Sequence, residues 1–306
     1  MSIDILIDKI RQKNNPSVVG LDPRIEYVPE FIREECYTRC GRNLKGVAQA
    51  ILEFNKKLID ELCDIIPAVK PQSAYYEMYG VEGIKTLYET IEYARNKGLY
   101  VITDVKRNDI GSTAEAYSTA YLGKTQIEGD IYVDAFASDS ITVNPYLGTD
   151  GIQPFINDCS KYNKSIFILV KTSNRSSGEV QDLMTAGETV YEKIAALVNQ
   201  WGSQCMGQKG YSNIGAVVGA TYPEQAAKLR KIMPNTYFLV PGYGAQGGTA
   251  KDVANCFNKD GLGAIVNSSR GIMCAYINKK YEEKEFAAAA REEAIRMRDE
   301  ILNCII

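Results

Sequence analysis

The stretch Leu99-Tyr-Val-Ile-Thr103-Asp104-Val-Lys106-Arg-Asn-Asp109-Ile110 runs from apolar text into charged text. Its first half has the β-branched and aromatic composition of a strand buried on both faces. Its second half places a lysine between two carboxylates where such a strand should end. The same two-part pattern recurs along the chain, in Ser17–Leu21, Ala68–Lys70, Leu99–Asp104, Ser140–Asn144, Ser165–Lys171, Ile214–Gly219, Tyr237–Val240 and Gly263–Asn267. Helical patterns separate these runs, so they read as parallel strands joined by crossover helices. Eight such units in 306 residues imply an α/β fold, a single closed (β/α)8 TIM barrel over residues 1–306. An open doubly wound sheet is the alternative.

A barrel of this kind collects its chemistry at the C-terminal ends of its strands. The text that follows each run is polar or glycine-containing: Asp22-Pro-Arg, Lys70-Pro-Gln, Asp104-Val-Lys, Asn144-Pro-Tyr, Lys171-Thr-Ser-Asn, Gly219-Ala-Thr, Pro241-Gly-Tyr-Gly and Asn267-Ser-Ser-Arg. These segments should converge on one mouth. The segment from Asp22 to Gly46 reads as a loop with a short helix over that end. Tyr281 to Cys304 reads as an amphipathic helix with Phe286, Ala290, Ile295 and Ile301 on its packed face.

The chain contains no histidine, so proton chemistry falls to lysine, carboxylate, tyrosine or cysteine. Lys70, Asp104, Lys106 and Asp109 form an alternating set of charges after the second and third runs, with Asp22 after the first. Solvated loop salt bridges are the plain alternative for such a set.

The glycine-rich text Val240-Pro-Gly-Tyr-Gly-Ala-Gln-Gly-Gly248 follows the seventh run, and Val266-Asn-Ser-Ser-Arg-Gly-Ile272 follows the eighth. Barrels often bind phosphate with the loops at these two positions, and Arg270 adds a cation suited to phosphate oxygens. No Walker-type loop occurs, and no dinucleotide fingerprint opens a helix after the first run.

A net charge of -3 does not favour nucleic acid, and no apolar run is long enough to span a bilayer. The N-terminus lacks a secretory pattern, and the scattered cysteines read as reduced thiols, which together place the chain in the cytoplasm. Cys36 and Cys40 have too few partners for a structural zinc site, and no metal site is expected.

These motifs, in this order and at these strand positions, make the sequence resemble the orotidine 5'-phosphate decarboxylases. Asp104, Lys106 and Asp109 match the family's Asp-x-Lys-x-x-Asp, with Ile110 and Thr113 continuing it. Asp22 within Val18-Val-Gly-Leu-Asp-Pro-Arg24, Lys70, Thr142-Val-Asn-Pro-Tyr-Leu-Gly148, Pro241-Gly-Tyr-Gly-Ala-Gln-Gly-Gly248 and Arg270 match further elements. The long connections resemble the longer-chain bacterial branch, type 2. One departure is Lys171-Thr-Ser-Asn174, which stands where other members carry a glutamate before the serine.

The resemblance implies loss of CO2 from orotidine 5'-monophosphate to give UMP, in pyrimidine synthesis and without a cofactor. It makes Lys106 the proton donor and sets Asp104 beside the departing carboxylate. Lys70, Asp109 and Asp22 are implied to hold the charge array and the ribose. Ser173 is implied to read the base, Gln246 to bridge base and phosphate, and Arg270 with the backbone from Pro241 through Gly244 to Gly247 to hold the phosphate. It also implies a homodimer in which Asp109, beside Ile110, and Thr113 act in the partner's site. Two rivals are a metal-dependent sugar-phosphate enzyme on the same barrel and a binding protein that keeps the pocket without turnover.

Overall fold

The structure is a computed structural model describing residues 1–305. Eight parallel strands close into a barrel: β1 (Ser17–Leu21), β2 (Ala68–Pro71), β3 (Tyr100–Arg107), β4 (Ser140–Val143), β5 (Ser165–Lys171), β6 (Ser212–Val218), β7 (Thr236–Val240) and β8 (Ala264–Ser268). Val18 pairs with Ala68 of β2 on one side and with Asn267 of β8 on the other, which seals the sheet and rules out the open alternative. All eight expected strands are present. Their ends differ from the sequence reading by up to a few residues: main-chain pairing carries β2, β3 and β8 past the expected ends, whereas β4 and β6 stop at Val143 and Val218, one residue short. The largest extension is in β3, where Arg107 still pairs with Val143.

Side chains alternate across each strand, so every second residue enters the barrel. Val18, Ala68, Ile102, Phe167, Tyr237 and Ile265 pack inside it. Helix Ser2–Lys13 plugs its lower end: Ile3, Leu6, Ile7 and Ile10 join that inner cluster, and Ser2 Oγ lies 2.8 Å from Tyr100 Oη. The opposite end is left as the opening. Outside, the outward strand residues pack against the helices, where Phe54 and Phe286 stack with ring centroids 5.2 Å apart.

The segment after β1 forms a turn at Ile25–Tyr27 and a helix at Glu30–Cys40. The C-terminal helix begins at Phe286, later than Tyr281, because a separate turn at Glu283–Glu285 precedes it. Phe286, Ala290 and Ile301 are buried as expected, whereas Ile295 is only half-buried and Ala294 and Met297 share the packed face. Two small hairpins, Thr125–Glu128 with Ile131–Val133 and Met184–Thr185 with Glu188–Thr189, were not expected. Among the described residues no helix is long and apolar enough to cross a membrane.

Candidate active site

The site is built around the end of β3. Asp104 and Lys106 are two residues apart on a strand and therefore share its inner face. The pairing register with β4 shifts between Thr103 and Arg107, and Lys106 takes φ +46° within that irregularity. Such a conformation costs a side-chain-bearing residue about 1–3 kcal/mol and persists only where the surroundings enforce it. Here Thr142 Oγ1 on β4 accepts the Lys106 backbone N–H at 2.9 Å.

Four groups converge on the Asp104 carboxylate. Lys106 Nζ donates to Oδ1 at 2.6 Å and Thr142 Oγ1 donates to the same oxygen at 2.7 Å. Lys70 Nζ and Gln72 Nε2 each donate to Oδ2 at 3.0 Å. Burial by itself raises the pKa of Asp104, but the ammonium groups of Lys70 and Lys106, with the hydrogen bonds from Lys106 and Thr142, outweigh it and hold the carboxyl well below the usual range. Burial likewise works against the Lys70 ammonium, and the Asp104 and Asp22 carboxylates overcome it, leaving Lys70 above the ordinary lysine value. Asp22 Oδ1 stands 3.7 Å from Lys70 Nζ, near enough for an ion pair and too far for a hydrogen bond. The order of charge is therefore Asp22, Lys70, Asp104, Lys106.

This array lines a cavity of about 720 Å³ at the barrel mouth. Lys70, Asp104 and Thr142 from β2 to β4, with Asn267 from β8, make a polar arc. Leu169, Val217 and Leu239 from β5 to β7 make the apolar arc that completes the ring. A planar ligand lying across this ring meets charge at one edge and hydrocarbon at the other.

Ser173, Pro241, Gln246 and Arg270 also line the cavity. A Cβ added at Gly219 would come within 2.8 Å of the Ser173 backbone, so the glycine there lets the β5 and β6 ends approach. Thr221 Oγ1 donates to the Ser173 carbonyl at 3.0 Å. After β7, Gly242 adopts φ +102° to open a tight loop. Within it Gly244 N–H donates to the Gly248 carbonyl at 2.9 Å and Gly247 N–H to the Gly244 carbonyl at 2.8 Å. These two glycine amides are thus used in shaping the loop, which presents Ala245 and Gln246 to the cavity.

Of the residues singled out in the sequence, Asp22, Lys70, Asp104, Lys106, Ser173, Pro241, Gln246 and Arg270 meet in this one cavity. Gly244 and Gly247 sit in the adjoining loop, while Asp109, Ile110 and Thr113 lie outside the cavity of their own chain. Three further residues were given no role: Gln72, Thr142 and Asn267. Thr142 and Asn267 are polar residues at inward positions of their strands, a signal that the period-two pattern carries once the inner face is known. Asn267 Oδ1 is buried and has no hydrogen-bond donor among the described residues.

Known proteins are similar to this chain over most of its length. A family model described as orotidine 5'-phosphate decarboxylase / HUMPS family matches residues 18–286. The chain belongs to that family. An orotidine 5'-phosphate decarboxylase of Caldicellulosiruptor saccharolyticus is 43% identical over 293 residues, covering 96% of each chain. That of Clostridium acetobutylicum is 42% identical over 302 residues, covering 98% of this chain and 99% of its own. The solved OMP decarboxylase of Leishmania donovani superposes with a TM-score of 0.75 at 29% identity, over 99% of this chain and 98% of its own. The UMP synthase of the same organism gives a TM-score of 0.77 at 31% identity, over 99% of this chain and 56% of its own. Members of the orotidine 5'-phosphate decarboxylase family are thus similar to this chain over nearly its whole length.

Proposed function

We propose that this chain, as a single barrel domain in the cytoplasm, converts orotidine 5'-monophosphate to UMP and CO2 without a cofactor. The observation that carries the reading is the Lys70–Asp104–Lys106 array, a buried carboxylate flanked by two ammonium groups at the mouth of a family barrel. The bond from the pyrimidine ring to its carboxylate breaks, CO2 leaves, and the electron pair stays on the ring carbon. That carbanion needs a fixed positive charge nearby and then a proton. Lys106 Nζ supplies both, becoming a neutral amine that regains its proton from water. Asp104 meets the substrate carboxylate as a like charge and so favours its departure, while Lys70 keeps Asp104 ionised.

Arg270 pairs with the phosphate, Gln246 bridges phosphate and base, Ser173 reads the base, and Asp22 with Lys70 meets the ribose. Binding energy from the remote phosphate positions the ring over the array. Asp109 and Thr113, outside their own cavity, complete the partner's site in a homodimer. In a metal-dependent rival a divalent cation would sit among these carboxylates, where the Lys70 ammonium already lies within 3.0 Å of Asp104 and 3.7 Å of Asp22.

The test is an ultraviolet assay of orotidine 5'-monophosphate loss, run with excess EDTA and beside Lys106→Ala. Chelator-insensitive turnover that disappears in the variant, with UMP binding retained, is expected. Turnover restored only by added metal, or a Lys106→Ala enzyme of undiminished kcat, would overturn the mechanism.

A further inference from the structure

Lys171 is the last residue of β5 and is fully buried, yet the array just described does not use it. Plain alternation would send it into the barrel beside Leu169, which lines the cavity. Pairing with β6 shows why it goes elsewhere: Val217 is opposite Leu169, but the next residue, Val218, is opposite Lys171, so β5 carries one extra residue at Val170. That bulge turns the Lys171 side chain out of the barrel.

There Nζ donates to Asp182 Oδ1 at 2.7 Å, 4.7 Å from the centre of the Tyr222 ring and 5.6 Å from that of Tyr191. Two aromatic faces and one carboxylate make a complete enclosure for an ammonium ion. Asp182 belongs to the segment that leaves β5 and returns at helix Val190–Gly202, the segment that begins with Thr172, Ser173 and Asn174. Gln181, next to Asp182, grips Thr172 twice: Oε1 accepts the Thr172 N–H at 3.0 Å and Nε2 donates to Thr172 Oγ1 at 2.8 Å. Tyr222 Oη donates to the Asn174 carbonyl at 3.3 Å. Ser173 therefore lies between two residues that are each tied to the Lys171 enclosure, Thr172 through Gln181 beside Asp182 and Asn174 through Tyr222, while Thr221 holds its own carbonyl.

We propose that Lys171 is a positioning residue for Ser173. Its ammonium fastens the Thr172–Asp182 segment to the barrel and so sets where the Ser173 hydroxyl meets the pyrimidine, an inference that rests on the function proposed above.

The experiment measures UMP affinity by calorimetry and steady-state kinetics with orotidine 5'-monophosphate for Asp182→Ala, Lys171→Met, Ser173→Ala and the double variant Asp182→Ala/Ser173→Ala. Asp182 is partly exposed, so Asp182→Ala carries the test even where the buried Lys171→Met does not fold. Asp182→Ala is expected to raise KM about tenfold with kcat changed less than about threefold. Ser173→Ala is expected to weaken UMP binding at least about fivefold in the parent and less than about twofold in the Asp182→Ala background, because coupled residues are not additive. A Ser173→Ala penalty that is the same in both backgrounds, or an Asp182→Ala enzyme with unchanged KM, overturns the assignment of Lys171. Absence of UMP binding by the unmodified protein overturns the functional reading itself, and this inference with it.

Discussion

Thr142 holds Asp104 and Lys106 together through one oxygen: its Oγ1 donates to Asp104 Oδ1 at 2.7 Å and accepts the Lys106 backbone N–H at 2.9 Å. The carboxylate and the irregular backbone that carries the ammonium are thereby fixed relative to one another from the neighbouring strand. Thr142→Val keeps the shape and removes both bonds. A hydrogen bond to a charged group contributes about 1.5–3 kcal/mol, so kcat should fall about tenfold to a hundredfold with UMP affinity nearly unchanged. Steady-state kinetics beside calorimetry checks this, and a loss confined to KM would contradict it.

The charge array also makes stability depend on pH in a definite direction. The folded-state pKa of Asp104 is depressed, so its stabilisation is present above the ordinary aspartate value of 3.8 and is lost as the pH falls towards the lower folded value. Lys70 is raised, so its contribution is complete below the ordinary value of 10.5 and is lost only as the pH rises through its folded value. Asp104→Asn should therefore unfold at lower urea than the parent at neutral pH, and the gap should narrow once the pH drops below 3.8. A gap that is constant over that range would mean that the carboxylate charge does not stabilise the fold.

The barrel was legible because strands covered on both faces must be apolar over their whole length, and β5 reads Ser-Ile-Phe-Ile-Leu-Val-Lys with no polar residue between its ends. The Asp104–Lys106 pair was legible because charge directly after such a strand is conspicuous. Thr142 was not, since one hydroxyl in a strand reads alike whether it meets a carboxylate or a carbonyl. Lys171 was hidden for a different reason: the bulge at Val170 reverses its direction, and a bulge shows in the pairing of two strands rather than in either sequence. The hairpin at Met184–Thr189 is too short for alternation to show, although Ala186 and Gly187 both take positive φ, as a tight hairpin turn requires.

Arg270 should act on affinity rather than on chemistry. Arg270 lines the same cavity as Gln246 and Ser269, and among the described residues it makes no hydrogen bond or ion pair with Asp22, Lys70, Asp104 or Lys106. Arg270→Ala should raise KM and weaken UMP binding about tenfold to a hundredfold, with uridine binding almost unaffected. Arg270→Lys should recover part of the loss, since an ammonium restores charge without the planar fork. Equal losses for UMP and uridine would place the phosphate elsewhere.

The position of Asp109 leads to the sharpest test of a shared site. Its carbonyl and the Leu147 Cβ both approach the place where a side chain on Gly151 would begin, each at 3.1 Å, so Asp109 adjoins the exposed pair Tyr146 and Leu147. Ile110 and the hairpin residues Ile127, Ile131, Tyr132 and Val133 are exposed apolar side chains as well. Apolar surface of this kind marks a contact with another protein when it is contiguous. If that partner is a second copy, Lys106→Ala and Asp109→Ala damage different halves of one site. Each variant alone should be nearly inactive. Mixed, unfolded together and refolded, they should form heterodimers in which one site carries both lesions and the other neither, giving about a quarter of the parent activity by random pairing. Activity that stays at the level of the separate variants, in a mixture shown by sedimentation to be dimeric, would place Asp109 in the site of its own chain.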